Sequence, residues 1–381
     1  MIKNKFLSVI SLIIFANMPN IVFSATQISE ISIKANLFLD SLNESQIKNV
    51  KIPLDSIERS QWTNLPNIMM QPAGLLIKDM NQKTRKALHR LMRATLSSQG
   101  YSKITGVMLL DDLLQTIEMQ DWQSNKERND FVRTFSKPMA KAFILTRDYE
   151  NYSVAVFGDP SDQNWGWRIS GHHLAANFTF VNGKIAFTPT FLGSNPMEVK
   201  DGRYAGFMAL ANEGARGIEF MKSLDRTQLE SAITNNKVAK DIFEGVGRRK
   251  SLQTHEGIKA SELTNEQNLL LENLIIEFTN NAKTEAAVTQ LDLIKKDWDK
   301  LWFSWHGPVD ANSRFYYRVH GPRVLIEYNR VDDNHDHMII RDPSNDYGED
   351  WLGKHYEEHH LDIKEIIKDT RERASNIAND E

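Results

Sequence analysis

Apolar residues recur at helical spacing in two comparable stretches of the chain. Ala87, Leu88, Leu91, Met92 and Leu96 fall on one face of a helix predicted over Asn81–Ser97. Leu269, Leu270, Leu274, Ile275 and Phe278 do the same from Leu263–Thr264 to Phe278, with Thr264 as N-cap and Gln267 three residues on, the spacing of a capping box. A second helix is expected after each, near Tyr101–Met119 and Thr284–Trp302. Tyr204–Leu224 and Thr227–Ala239 are also helix-like, and Gly247–Gly257 reads as a connecting loop. Between the helical blocks the pattern changes to alternation of apolar and polar residues, which predicts strands. Asn182-Gly183 is a strong two-residue hairpin signal and Val331-Asp-Asp-Asn334 a weaker turn signal. The resulting order is helices, hairpin, helices, hairpin and tail, an α+β arrangement.

The two alternating stretches resemble each other. Pro160-Ser-Asp162-Gln-Asn164 leads into Trp167-Arg168-Ile169-Ser-Gly171-His-His-Leu174, and Pro308-Val-Asp310-Ala-Asn312 into Tyr317-Arg318-Val319-His-Gly321-Pro-Arg-Val324. This points to an internal duplication with two pseudo-equivalent β-hairpins, each with a long first strand. The division is then a lead segment over 25–75, a first repeat over 76–200, a helical connector over 201–260, a second repeat over 261–345, and an acidic loop with a C-terminal helix over 346–381.

The first 24 residues read as a cleavable signal peptide. Lys3 and Lys5 precede an apolar run from Phe6 to Phe15, and Val22-Phe23-Ser24 precedes Ala25 with compact side chains at −3 and −1. A membrane anchor needs roughly 20 unbroken apolar residues, and Asn17, Pro19 and Asn20 interrupt this run. The expected location is therefore periplasmic or secreted, without a stable membrane anchor. With 46 basic and 50 acidic residues the net charge is −4, which predicts no nucleic-acid partner. The chain has no Cys and 11 His, so disulfides are excluded and any metal must be held by imidazole, carboxylate or thioether.

Histidine pairs carry the candidate chemistry. His335-Asp336-His337 opens a predicted strand, and the i, i+2 spacing puts both imidazoles on one face. A third ligand to a Zn, Cu or Fe ion would come from His172 or His173 of the Gly171-His-His element. The alternatives are a buried, hydrogen-bonded His172–His173 pair and a solvated turn at His335 and His337. Within one long strand, His173 would share a face with Trp165, Trp167, Ile169 and Asn177. Arg168 and Arg318 occupy equivalent positions and Arg323 matches His173. Together with His320 and Glu327, these are candidates for binding an anionic small molecule, because a guanidinium recognises a carboxylate in bidentate fashion. A structural Arg–Glu pair is the competing reading, with Glu327 on the Arg323 face. Asp342, Asn345, Asp346 and Asp350 are oxygen-rich but lack EF-hand spacing and read as a turn. His355 and His359 lie one turn apart in a charged tail and read as a solvated helix face.

Residues 165–178, 188–196, 316–328, 334–337 and 341–350, with His355-Tyr356, resemble the bacterial family catalogued as domain of unknown function 3500. The resemblance covers roughly Leu76 to Tyr356. It implies that the Gly-His-His and His-x-His elements are family features, and it implies no mechanism.

Two functions from different classes fit these residues. The first is an exported metalloenzyme, hydrolytic or oxidative, acting on a small anionic substrate at His172, His173, His335 and His337. The second is a non-catalytic binding protein whose Arg168, Arg318, Arg323 and neighbouring aromatics hold an anionic small molecule or peptide end. A metal-free acid–base hydrolase and an envelope interaction protein are further alternatives.

Overall fold

The computed structural model describes residues 20–124 and 137–359, with side chains from Glu30 to Lys354. Most of the expected signal peptide, and the tail from His360, lie outside the described residues. The helices are α1 (Asn20–Leu39), α2 (Glu44–Val50), α3 (Gln82–Thr95), α4 (Ser98–Ser124), α5 (Lys137–Leu145), α6 (Ala211–Ser223), α7 (Arg226–Ala232), α8 (Asn265–Thr279), α9 (Thr284–Lys295) and α10 (Glu349–His359). The strands are β1 (Lys51–Ile52), β2 (Leu75–Leu76), β3 (Ser153–Gly158), β4 (Asn164–Gly171), β5 (Leu174–Val181), β6 (Lys184–Ala186), β7 (Thr190–Ser194), β8 (Ile233–Asn235), β9 (Ile258–Lys259), β10 (Trp302–His306), β11 (Tyr316–Gly321), β12 (Val324–Asp332) and β13 (His335–Arg341). The α+β expectation holds.

The two main helices begin where the sequence places them. Asn81 caps α3 by accepting from the Thr84 amide, and Thr264 forms a full capping box with Gln267 at the start of α8. Three others fall short of their expected range. Residues 204–210 are not helical ahead of α6, residues 233–235 leave α7 to form an edge strand, and α9 stops at Lys295, with Trp302 opening β10.

The described strands join one mixed sheet whose main path runs β1-β3-β4-β5-β7-β13-β12-β11-β10-β8, with β2, β6 and β9 pairing beside it. Both edges are built alike. β1 runs parallel to β3 while β2 pairs antiparallel with it, and β8 runs parallel to β10 while β9 pairs antiparallel with it. At the centre β7 and β13 pair antiparallel, with Gly193 opposite His337.

The hairpins differ from the expected form. The long first strand is broken by a two-residue turn in each stretch: His172-His173 joins β4 to β5, and Pro322-Arg323 joins β11 to β12. The glycine before each turn closes the ladder, Gly171 opposite Leu174 and Gly321 opposite Val324. Each turn resets the side-chain parity of the strand after it. Asn177 therefore lies opposite Arg168, not on the Trp167 face, and Glu327 lies opposite Arg318, not on the Arg323 face. The Asn182-Gly183 turn forms as expected between β5 and β6.

One face of the sheet is apolar. Trp165 stacks on Phe180 at 4.2 Å, Trp167 on Phe178 at 4.9 Å, and Trp305 on Phe315 at 4.6 Å between ring centroids. α4 packs on β5 and β7, and α6 packs on β12. Burial of these large rings and of the apolar stripes of α3 and α8 supplies the main cohesion. The other face is polar yet buried, carrying Arg168, Ser170, Ser304, Arg318, Glu327, Asn329, His337 and Arg341. Two long loops cover it. Residues 53–74 contribute the Glu58 carbonyl that accepts from Arg168 at 2.9 Å, and residues 236–257 contribute the Phe243 and Glu244 amides that donate to Glu327 at 2.6 and 2.8 Å. A buried polar face is tolerable only when such partners are supplied.

Candidate metal centre

The site forms where the two halves of the sheet meet. His335 and His337 stand on one face of β13, as their spacing requires. His173 reaches them from the β4–β5 turn, where its φ of 60° lies in the left-handed region. A non-glycine residue held there carries strain of order 1 kcal/mol or more. The turn is fixed at both ends, since the His173 amide donates to the Asn64 carbonyl at 3.1 Å and the His173 carbonyl accepts from Gly193 at 2.8 Å. Gly193 leaves the space the rings occupy: a Cβ there would lie 2.8 Å from His337 Cδ2 and 3.0 Å from His173 Cδ2.

Three imidazole nitrogens converge. His335 Nε2 is 2.9 Å from His173 Nε2 and 2.9 Å from His337 Nε2. On the far side of the rings, His337 Nδ1 is 2.8 Å from Asp241 Oδ1, and His335 Nδ1 is 3.4 Å from Asp332 Oδ2. A carboxylate on Nδ1 fixes the proton there and turns the Nε2 lone pair inward. Burial pushes the Asp241 carboxyl up, but the hydrogen bond and charge of His337 outweigh this and leave it below its usual range. Burial, followed by the proximity of His172, His335, His337 and Arg147, holds His173 well below the ordinary imidazole range, and burial likewise lowers His335. Burial thus favours the neutral form of His173 and of His335. His173, His335 and His337 form a group that can hold a metal ion.

His172 has a different setting. Its Nδ1 is 2.7 Å from Asp111 Oδ1 and its Nε2 is 2.7 Å from Arg147 Nη1. Both nitrogens are therefore engaged. The Tyr152 hydroxyl fixes the same corner, 2.8 Å from Asp111 Oδ2 and 2.6 Å from the His172 carbonyl oxygen, which share its one hydrogen. Burial pushes the His172 imidazole down to about 4. Asp111, His172 and His173 form a second overlapping group able to hold a metal. In the first group, His335 Nε2 lies 2.9 Å from Nε2 of each of the other two rings, whereas both nitrogens of His172 in the second are engaged elsewhere.

The imidazoles line a cleft of about 390 Å³. Its walls combine Leu65, Pro66, Met69, Phe143, Ile242 and Val246 with the guanidinium-bearing Arg147 and Arg248. Arg168, Arg318, Arg323, His320 and Glu327 do not line it. Arg168 is bound to the Glu58 carbonyl, Arg318 lies 3.1 Å from Glu256, Arg323 donates to Ser344, and Glu327 accepts from two backbone amides and from Tyr316. His320 stacks on His255 at 4.2 Å. The acidic stretch after β13 is a turn held by Arg341, which donates to Asp346 at 2.7 Å.

Asp111, Arg147 and Asp241 are absent from the sequence-derived set. Asp111 had a readable signal: it sits within the buried stripe Ile104, Val107, Met108, Leu114 of α4, where a carboxylate is out of place without a partner. Asp241 lies in a loop with no periodicity and gave none.

The fold and the site together define an α+β protein whose central strand pair carries a buried group of imidazoles competent to hold a metal ion. The chain belongs to the family described as protein of unknown function (DUF3500), which matches residues 24–349. No curated protein and no solved structure matches it. Among the described residues, no helix is long and apolar enough to cross a membrane.

Proposed function

We propose that this chain is an exported metalloprotein in which His173, His335 and His337 hold one transition metal through Nε2, facing a cleft that takes a small anionic substrate. The observation that carries the proposal is the convergence of three imidazoles, with His335 Nε2 2.9 Å from both His173 Nε2 and His337 Nε2 and carboxylates beside two of the rings. Around a tetrahedral Zn²⁺, with Zn–N near 2.0–2.1 Å, the nitrogens would sit about 3.3 Å apart, a small expansion of the observed spacing. Three protein ligands leave a position open, as a catalytic site requires. A bound Zn²⁺ would supply Lewis-acid chemistry for hydrolysis, and Cu or Fe would supply oxidation.

The residues around the open side have separate tasks. Arg147 and Arg248 attract an anionic group, and the apolar wall excludes water from it. His172, neutral and held between Asp111 and Arg147, positions the Arg147 guanidinium. The like-built edges and the equivalent Gly171 and Gly321 closures support descent of the two halves from one duplicated unit. In this reading, His173 comes from one copy and His335 and His337 from the other.

Metal analysis of protein purified from its export compartment tests the proposal. One equivalent of a transition metal is expected, with none in the His335→Ala/His337→Ala protein, which should keep its circular dichroism spectrum. Retention of the metal by that variant refutes the site. The exported protein should begin near Ala25, and an intact Met1 in that pool would refute export by signal cleavage. A non-catalytic binding protein is the second reading, favoured by the arginines of the cleft. It predicts saturable, metal-independent ligand binding.

A further inference from the structure

The polar face holds a second cluster on β10, β11 and β12, away from the histidine cleft. Ser304 lies opposite Arg318 in the register, and Arg318 lies opposite Glu327. His306 is two residues beyond Ser304 and His320 two beyond Arg318, so all four side chains share this face. Arg318 is 2% exposed and Ser304 is fully buried. Arg318 Nε, Ser304 Oγ, His306 Nδ1 and His320 Nδ1 are all buried without a hydrogen-bond partner. Buried polar atoms are ordinarily satisfied, and an unpartnered guanidinium nitrogen opposite an unpartnered hydroxyl, with an unpartnered imidazole two residues to either side, calls for an occupant.

The charges identify the occupant. Glu327, the buried carboxylate nearest in register, is already engaged by the Phe243 and Glu244 amides and the Tyr316 hydroxyl. The remaining acidic contact to Arg318 comes from Glu256, a loop residue whose side chain is 50% exposed and whose Oε2 lies 3.1 Å from Arg318 Nη2. Beside it, His255 stacks on His320 at 4.2 Å. The cluster thus presents a guanidinium, a hydroxyl and two imidazoles beneath a surface carboxylate. Arg168, at the matching place in the other half of the sheet, is surrounded differently. It pairs in register with Ala155 and Asn177, and its guanidinium lies over the Phe157 ring at 5.3 Å. Arg168 Nε and Nη2, Ser170 Oγ and Asn177 Oδ1 are likewise buried without a partner, so what is particular to the Arg318 side is its unpartnered imidazoles and the Glu256 carboxylate.

We propose that Ser304, His306, Arg318 and His320 form a second binding site, for the oxyanion group of a small carboxylate or phosphate ligand. Glu256 occupies the guanidinium when ligand is absent and is displaced when the ligand enters. Arg318 supplies the charge, the Ser304 hydroxyl opposite it donates to a second oxygen, and His306 and His320 flank the ligand on either side, one of them donating to it. The proposal is independent of the metal.

Calorimetric titration of the full chain with inorganic phosphate and, separately, with acetate tests it. Saturable one-to-one binding of at least one anion is expected. Glu256→Gln should tighten it about threefold by removing the competing carboxylate. Ser304→Ala and Arg318→Met should each weaken it about tenfold or more, the loss of one strong hydrogen bond. Ser304→Ala serves if Arg318→Met does not fold. The His335→Ala/His337→Ala protein should bind the anion as the unaltered chain does. Binding of phosphate alone would assign a phosphoryl ligand, and of acetate alone a carboxylate. The site is refuted if neither anion saturates the unaltered or the Glu256→Gln protein at tens of millimolar, or if Ser304→Ala leaves affinity unchanged.

Discussion

At the scale of single residues, the state of each histidine is set by the partner of its second nitrogen. His337 gives Nδ1 to Asp241 and His335 has Asp332 beside it, so both offer Nε2 to the centre. His172 has both nitrogens engaged, by Asp111 and Arg147, and is a neighbour of the centre more than a ligand. The sequence made these histidines candidates but could not separate His172 from His173, because the distinction depends on Asp111 and Arg147 arriving from other segments. The carboxylate shell makes a prediction. Asp241→Asn keeps the size of the side chain and removes its charge, so metal affinity should fall about 10–100-fold with the fold intact. A competition titration with a chromophoric chelator measures this, and unchanged affinity would remove Asp241 from the site.

At the scale of elements, the centre depends on a turn meeting a strand. The alternating pattern from Trp165 to Phe178 was legible as β-structure, yet the turn at His172-His173 was not, because neither residue is a usual turn former. The left-handed His173 is held by backbone bonds to Asn64 and Gly193, which come from a covering loop and from β7. Gly193 is where these elements come closest. Gly193→Ala would place a methyl group 2.8 Å from His337 Cδ2 and 3.0 Å from His173 Cδ2, forcing the rings apart. Metal occupancy should be lost, with stability lowered by about 1–3 kcal/mol, as in other overpacked sites. Metal content and a urea denaturation curve read the two effects separately, and full occupancy in Gly193→Ala would show that the rings are free to move.

At the scale of the whole molecule, a continuous sheet unites segments distant in sequence, and its stability should depend on acid. Burial holds His172 and His320 down to about 4 in the folded chain, with Asp111 and Arg147 facing the first and His255 and Arg318 the second. An unfolded histidine titrates near 6.5. Between about pH 4 and 6.5 the unfolded chain therefore binds more protons, so stability is full above this window and is lost as pH falls through it. The melting temperature of metal-free protein should decline across that interval, and His320→Gln should make the decline shallower. A flat profile would mean that these imidazoles are protonated in the fold. The amino-acid sequence by itself determined the α+β class, α3 and α8 with their caps, the Asn182-Gly183 turn, and the pairing of His335 with His337 on one face. Each of these arises from periodicity or local chemistry within a few residues. Tertiary structure decided the rest. The β7–β13 pairing brings His173, 162 residues away, to His335, and two loops without periodicity supply Asp241 and Asn64. The same sheet carries Arg318 and His320 to a different place from the histidine cleft. Such contacts depend on which strands are neighbours, and strand order is set by burial of the whole apolar face rather than by any local segment.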